Sequence, residues 1–185
     1  MLQERFEKRQ ASLRSASVEF SQTLSLAGLR NPAVSHGRIF YATPGRLRIE
    51  YERPAGELVL LPGDGTLVTR KPGRASTVRA LDRLDDRTRR SLSLLLSLFE
   101  GKLPAGFGSA RVEARREGDN RVVVTMTREP ASEGAEKIDT TLAWPALDPV
   151  AVGIRLAGGA EMRYEFGRTE RNATLGADAF NPPPP

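Results

Sequence analysis

Residues 37–54 read GRIFYATPGRLRIEYERP, and residues 57–68 continue with ELVLLPGDGTLV. Apolar and charged residues alternate without interruption over residues 46–52, so Leu47, Ile49 and Tyr51 are predicted to share one face of a strand. Proline, glycine and aspartate at residues 43–45 and 62–65 are typical of turns. The stretch therefore predicts three antiparallel strands with one apolar face and one solvated face.

The same two-residue period governs most of the remaining chain and predicts nine or ten antiparallel strands. Such a long sheet accumulates twist and curls. We therefore predict an α+β, mainly antiparallel β fold, with a single curved sheet that forms an unclosed (half) β-barrel. Short helices are expected to cap it around an apolar internal cavity. Residues 1–180 are expected to form one domain, and residues 181–185 an extended proline-rich tail.

Two segments favour helices instead of strands. The first dozen residues carry apolar side chains among charged ones, as in a short amphipathic helix. Asp85 is a candidate N-cap for a second helix, whose apolar residues recur at helical spacing as far as Leu103. Leu94 and Leu98 lie nearly opposite that face, so this helix is apolar most of the way round. We expect it to be a lid over the mouth of the cavity.

The predicted site is the apolar lining of the cavity, formed by alternate strand residues and by one face of the second helix. Its members are Val18, Phe20, Leu47, Ile49, Tyr51, Leu58, Leu60, Leu92, Leu95, Leu96, Phe99, Val122, Val124, Met126, Ile154, Met162, Tyr164 and Phe166.

The charge distribution limits the classes of partner. The chain has 28 basic and 23 acidic residues, a net charge of +5, and its arginines are interspersed with acids. We interpret most of them as a solvated outer face, with an electropositive surface for anionic headgroups or an acidic partner as the alternative. Nucleic-acid binding needs exposed aromatics among the basic residues, and the aromatic content of 6% argues against it.

Motifs of catalytic and metal sites are missing from the sequence. The single histidine, His36, has no nucleophile or carboxylate in a recognisable triad motif, and no HExxH or CxxC pattern occurs. We therefore predict no enzymatic activity, metal or cofactor. No apolar run reaches the ~18 residues of a membrane-spanning helix. The charged start MLQERFEK indicates either a cytosolic protein or a mature exported one, and the absence of cysteine fits both.

The order of several short motifs resembles the LolA family of periplasmic lipoprotein carriers, which share an unclosed β-barrel fold with LolB. The matching residues are Phe20-Ser21-Gln22, Gly37 to Phe40, Pro44 to Tyr51, Asp64-Gly65, and Phe180 before Pro182-Pro183. The likeness is best over residues 18–68 and at the C-terminal end. It implies a non-enzymatic monomer that shelters acyl chains of a lipoprotein or lipid in the periplasm, after removal of a signal peptide. An inner-membrane transporter, an outer-membrane acceptor and peripheral membrane contact are the partners it implies.

One residue departs from the family pattern. In many LolA proteins an arginine precedes the proline of the second turn and holds the lid by polar contacts, whereas this chain has Thr43 there. Threonine offers a single hydroxyl and no charged fork. The latch is therefore expected to differ, and the cargo is left open between lipoproteins and a glycolipid or pigment-linked lipid.

Two other functions remain open at this point. One is a scaffold that docks a membrane lipid-export or lipid-synthesis complex through its basic face and has a solid core instead of a cavity. The other is an enzyme that acts on acyl substrates.

Overall fold

Eleven antiparallel strands form one sheet in the computed structural model, which describes residues 2–28, 30–102, 110–128, 135–156 and 158–183. The strands are β1 (Ser15–Ser25), β2 (Ala33–Ala42), β3 (Arg46–Arg53), β4 (Ala55–Leu61), β5 (Thr66–Arg70), β6 (Thr77–Ala80), β7 (Ala110–Glu117), β8 (Arg121–Arg128), β9 (Ala135–Ala143), β10 (Pro149–Leu156) and β11 (Glu161–Arg171). The helices are α1 (Leu2–Gln10) and α2 (Asp86–Phe99), with a 3₁₀ turn at Leu81–Arg83 before α2. Leu103 and residues 184–185 of the predicted tail lie outside the described residues.

The sheet consists of two meanders that meet at β1 and β11. Its order is β6-β5-β4-β3-β2-β1-β11-β10-β9-β8-β7, so β6 and β7 are its edges and the sheet is not closed into a barrel. This confirms the predicted fold class. The sequence underestimates the strand content, because β6 has only four residues and shows no clear period. Strand β2 begins at Ala33, which pairs with Leu24.

The register of the strands defines the two faces of the sheet, because directly paired residues of antiparallel strands share a face. Ile39 pairs with Val18 and with Ile49, and Tyr41 pairs with Leu47. These residues belong to the main buried core, and we call their side of the sheet the inner face. Residues such as Arg38 and Glu50, which pair with each other, lie on the outer face.

Helix α2 links the two edges of the sheet, since it follows β6 and precedes β7 in the chain. Its first turn is capped by Asp85, whose carboxylate accepts a 2.9 Å hydrogen bond from the backbone N–H of Thr88. That backbone hydrogen bond, together with one from the Thr88 hydroxyl, lowers the pKa of Asp85. Gly101 ends the helix with φ +76°, and a Cβ there would lie 2.7 Å from Gln10. The predicted start of α2 is therefore confirmed, whereas the helix ends at Phe99, before Leu103.

Helix α1 is fixed at one end of the sheet by ion pairs and hydrogen bonds. Arg9 forms a bidentate pair with Asp148, with distances of 3.1 and 2.9 Å. Arg171 donates to the same carboxylate at 3.2 Å and to Gln10 at 3.0 Å. Burial and the neighbouring Arg9 lower the pKa of Arg171. These contacts join α1 to the loop before β10 and to the end of β11.

Candidate functional site

Most of the predicted lining residues lie together on the inner face and on α2. Within the main core, nine of them are buried: Val18, Phe20, Leu47, Ile49, Leu92, Leu95, Phe99, Ile154 and Tyr164. Four more are partly buried and pack against this core: Tyr51, Leu96, Met162 and Phe166. The structure thus brings strand residues and helix residues into one apolar cluster, which is the candidate ligand site.

Three predicted lining residues lie on β8. They extend the inner face beyond the main core that contains α2. Met126 pairs with Ile138, which in turn pairs with Ile154 of the main core. Val124 and Val122 follow at alternate positions of β8 and are 2% and 4% exposed. The inner face from β3 to β8 is therefore mainly apolar, with the polar Thr140 buried between Val124 and Val152.

Leu58 and Leu60 are on the opposite face, contrary to the prediction. Leu58 pairs with Glu50 and Leu60 pairs with Arg48, which places both leucines on the outer face. They lie in a run of four apolar residues, Leu58 to Leu61, so the two-residue period alone leaves their orientation undecided. The inner-face residues of this strand are Val59 and Leu61.

The outer face of this half of the sheet is also less solvated than the alternation predicts. Leu58 and Leu60 form a second buried cluster with Phe180, which is only 8% exposed. Arg46 lies over the Phe180 ring at 5.0 Å, and Arg48 donates to the carbonyl of Ala179 at 3.0 Å. The predicted solvent-facing position is therefore wrong for Arg48, whose side chain is 21% exposed. The C-terminal segment covers it.

Several residues of the core were absent from the predicted lining. The buried strand residues among them are Ile39, Tyr41, Leu61, Leu67, Ile138 and Val152, and the helix contributes Leu94 and Leu98. The alternation around Gly37-Arg38-Ile39 could have identified Ile39 and Tyr41. The sequence predicts Leu94 and Leu98 on the far side of the helix, but both are buried in the main core as well. The helix is thus enclosed on more than one side.

A small polar group lies within the apolar inner face. Gln22 donates to the hydroxyl of Tyr164 at 2.8 Å and contacts the sulfur of Met162 at 3.1 Å. The hydroxyl of Tyr51 neighbours that of Tyr164. Burial and the neighbouring Tyr51 raise the pKa of Tyr164 well above its ordinary value. The rings of Tyr51 and Tyr164 both contact Phe20, at centroid distances of 5.5 and 5.8 Å.

Thr43, the predicted latch position, makes its contact through a tyrosine. Its hydroxyl lies near that of Tyr41, and the Tyr41 ring stacks on Phe99 near the end of α2. Burial raises the pKa of Tyr41, and the nearby Glu100 adds to this shift. The helix is therefore held at this point by ring stacking, and Thr43 lies beside the stacked tyrosine.

The apolar void beside α2 is small in this structure. Leu98, Phe99, Val18 and Phe166 line it on the apolar side, and its volume is about 20 Å³. A volume of this size holds one water molecule at most. This void is therefore too small for an acyl chain while α2 lies beside it.

Among the described residues, no group of three or more histidine, cysteine, aspartate or glutamate side chains could hold a metal ion. Within the same residues, no helix is long and apolar enough to span a bilayer.

An open antiparallel sheet wrapped around an apolar helix defines a class of half-barrel folds that includes lipid-binding carriers. Residues 11–183 match the family described as outer membrane lipoprotein carrier protein LolA. The chain belongs to the LolA family, as its sequence motifs predict. Members of this family are periplasmic and typically non-enzymatic carriers. None of the curated proteins compared with the chain matches its sequence.

Solved structures share the fold at low sequence identity. An uncharacterised conserved protein from Thermus thermophilus is 9% identical, with a TM-score of 0.59 over 99% of this chain and 92% of its own. A putative outer membrane lipoprotein-sorting protein domain from Vibrio parahaemolyticus is 9% identical, with a TM-score of 0.53 over 97% and 94%. The lipoprotein LppX of Mycobacterium tuberculosis is 13% identical, with a TM-score of 0.51 over 96% and 98%. At these identities the likeness concerns the fold.

Proposed function

We propose that this protein is a non-enzymatic periplasmic carrier that shelters the acyl chains of a lipoprotein or glycolipid and passes them toward the outer membrane. The observation that carries the proposal is the position of α2, which covers the apolar inner face with leucine and phenylalanine side chains. Its contacts with the sheet in the main core are apolar. Acyl chains make the same kind of apolar contact, so an acyl chain can replace α2 on the inner face of the sheet.

The energetics of acyl transfer support this assignment. Each buried CH₂ contributes ~0.8 kcal/mol, so a chain of about sixteen carbons needs more than ~10 kcal/mol of dry contact to leave a membrane. The inner face supplies such contact from β3 to β8, as described above. In the closed arrangement α2 keeps the part of this surface that belongs to the main core out of water. Inner-membrane donor and outer-membrane acceptor proteins are the partners that such a cycle requires.

The small void favours a second candidate. A scaffold that docks a membrane complex without carrying lipid would need only a solid core, and the 20 Å³ void is consistent with one. The two functions differ in whether α2 ever leaves the inner face.

Native mass spectrometry of protein purified from its periplasmic fraction distinguishes the candidates. A copurified lipid or acylated protein, together with saturable binding of a fluorescent fatty acid, supports the carrier. Protein that is free of lipid and does not bind the fatty acid supports the scaffold. Hydrolysis of an acyl ester would contradict both.

A further inference from the structure

The net charge of the chain is concentrated in one segment. Residues 70–90 contain eight basic and three acidic residues, and the other residues contain 20 of each. The entire excess of +5 therefore lies between the end of β5 and the first turns of α2. Five basic residues of this segment have exposed or half-buried side chains, and we call them the basic edge: Arg70, Lys71, Arg74, Arg79 and Arg83.

The basic edge is exposed and unpaired. Four of its five side chains are exposed and Arg70 is half-buried, and none forms an ion pair with another described residue. Arg79 acts on the carboxylate of Asp85 only at a distance. Asp85 is already engaged as the N-cap of α2. Asp82, Asp85 and Asp86 offset part of the charge of the basic edge, and Arg87, Arg89 and Arg90 in the first turns of α2 supply the rest of the local excess of +5.

Basic residues elsewhere on the sheet are arranged differently. On β11, Arg163 pairs with Glu165 at 3.0 Å, and Arg168 pairs with Glu170 at 2.8 Å. On β7, Arg111 pairs with Glu113. Each pair joins residues two apart on one strand, so the charge of each of these arginines is offset by a neighbouring glutamate. This contrast shows that the basic edge is a local excess.

The positions of these residues identify the kind of surface they fit. Arg79 shares the inner face with Leu67, Arg70 shares the outer face with Leu58, and Arg74 lies in the connection between β5 and β6. The charges thus surround an edge of the sheet instead of lining one face. The strand pair is short, so they lie within roughly 20 Å of one another. An extended acidic peptide paired with β6 would meet only some of them, whereas a planar anionic surface meets them together.

We propose that the basic edge docks the protein on an anionic lipid bilayer, with the β5–β6 edge toward the headgroups and the beginning of α2 beside them. Basic side chains near an anionic leaflet are attracted to it, and this attraction is screened within a few Debye lengths. The purpose of the contact rests on the proposed carrier function: it brings the helix that covers the acyl site to the membrane. The contact itself does not require cargo.

Vesicle co-sedimentation tests this proposal with a matched pair of variants. The patch variant is Arg74→Gln, Arg79→Gln and Arg83→Gln, and the control is Arg111→Gln, Arg163→Gln and Arg168→Gln. Both lose three positive charges, but the control loses them from balanced pairs. With vesicles of equal parts phosphatidylcholine and phosphatidylglycerol, we expect the patch variant to bind on the order of a hundredfold more weakly, since each basic side chain contributes about a factor of five. The control should retain most of the binding.

Each other outcome would overturn the docking proposal. Equal losses in the two variants would show that only net charge matters. Equal binding to phosphatidylcholine vesicles, or binding that persists at about 1 M salt, would exclude headgroup charge. Binding to immobilised polyaspartate but not to the vesicles would assign the edge to an acidic protein. Circular dichroism checks that each variant is folded.

Fatty-acid binding is measured separately from vesicle binding. Loss of fatty-acid binding with vesicle binding intact would refute the carrier function alone.

Discussion

The ring of Tyr41 on β2 stacks on the ring of Phe99 near the C-terminal end of α2, with centroids 5.1 Å apart and planes 14° apart. This is a direct aromatic contact between the covering helix and the sheet. A stacked pair contributes about 1 kcal/mol beyond the area that it buries. The contact therefore stabilises the closed arrangement and opposes entry of an acyl chain.

The substitution Phe99→Leu should increase the affinity of the protein for a fluorescent fatty acid. The change keeps an apolar side chain but removes the stack, which shifts the population toward the open arrangement. A loss of about 1 kcal/mol from the closed state raises the open fraction, and hence the apparent affinity, roughly fivefold. Tyr41→Phe keeps the stack and should change affinity less than twofold. Unchanged or weaker binding by Phe99→Leu would mean that α2 does not compete with the ligand.

Hydrogen exchange with and without lipid should show the movement of α2 directly. We expect the amides of residues 92–99 to exchange faster when a fatty acid is bound, because the ligand takes the helix's place on the inner face. Amides of β1 and β2, at the centre of the sheet, should keep their protection and are the internal reference. Identical protection of α2 in both states would make it an ordinary core helix and favour the scaffold.

The alternation of residues predicted the inner face well but not the outer one. Leu47 and Ile49 stand alone between charged residues, so their orientation follows from the period. Leu58 and Leu60 are surrounded by other apolar residues, and only the register with Arg48 and Glu50 decides their face. Phe180 covers Leu58 and Leu60 although it lies more than a hundred residues away in the sequence. This contact depends on the tertiary structure, and the sequence around the two leucines does not indicate it.

The helix shows the same limit of local sequence reasoning. Its start at Asp85 and its end before Gly101 follow from capping chemistry, and both were predictable. How closely the sheet encloses Leu94 and Leu98 depends on the curvature of eleven strands. The volume left between sheet and helix is set by that curvature as well, so the curl expected of a long sheet predicted a cavity but not its size.

Phe180→Ala should reduce stability without changing acyl binding. Phe180 is buried against Leu58 and Leu60 on the outer face, so its truncation should lower the free energy of unfolding by ~3 kcal/mol. The inner face is untouched, so fatty-acid affinity at a temperature where the variant is folded should stay within twofold. Urea unfolding and fluorescence titration measure the two effects. Ile49→Ala, on the inner face, is the matched variant that should change both. Loss of acyl binding by Phe180→Ala would place the ligand on the wrong face for this proposal.

The tyrosine pair on the inner face predicts a loss of stability at alkaline pH. The folded protein raises the pKa of Tyr164, chiefly by burial, and also that of Tyr51. The unfolded chain therefore releases these phenolic protons first, near pH ~10, and so holds fewer protons than the folded protein above that pH. Stability from this source is fully present below about pH 10 and falls as pH rises through the folded values.

Tyr164→Phe tests this origin of the alkaline loss. At neutral pH the variant should be less stable by about 1 kcal/mol, because Gln22 loses its acceptor. Its melting temperature should then fall less steeply than that of the natural protein between about pH 9 and pH 11, because one buried phenol no longer titrates. Thermal melts across this range, with tyrosinate absorbance recorded in parallel, measure both effects. If the folded protein's tyrosines ionised at their ordinary pKa, the buried hydroxyl pair could not be the cause, and the inner face would be open to water in solution.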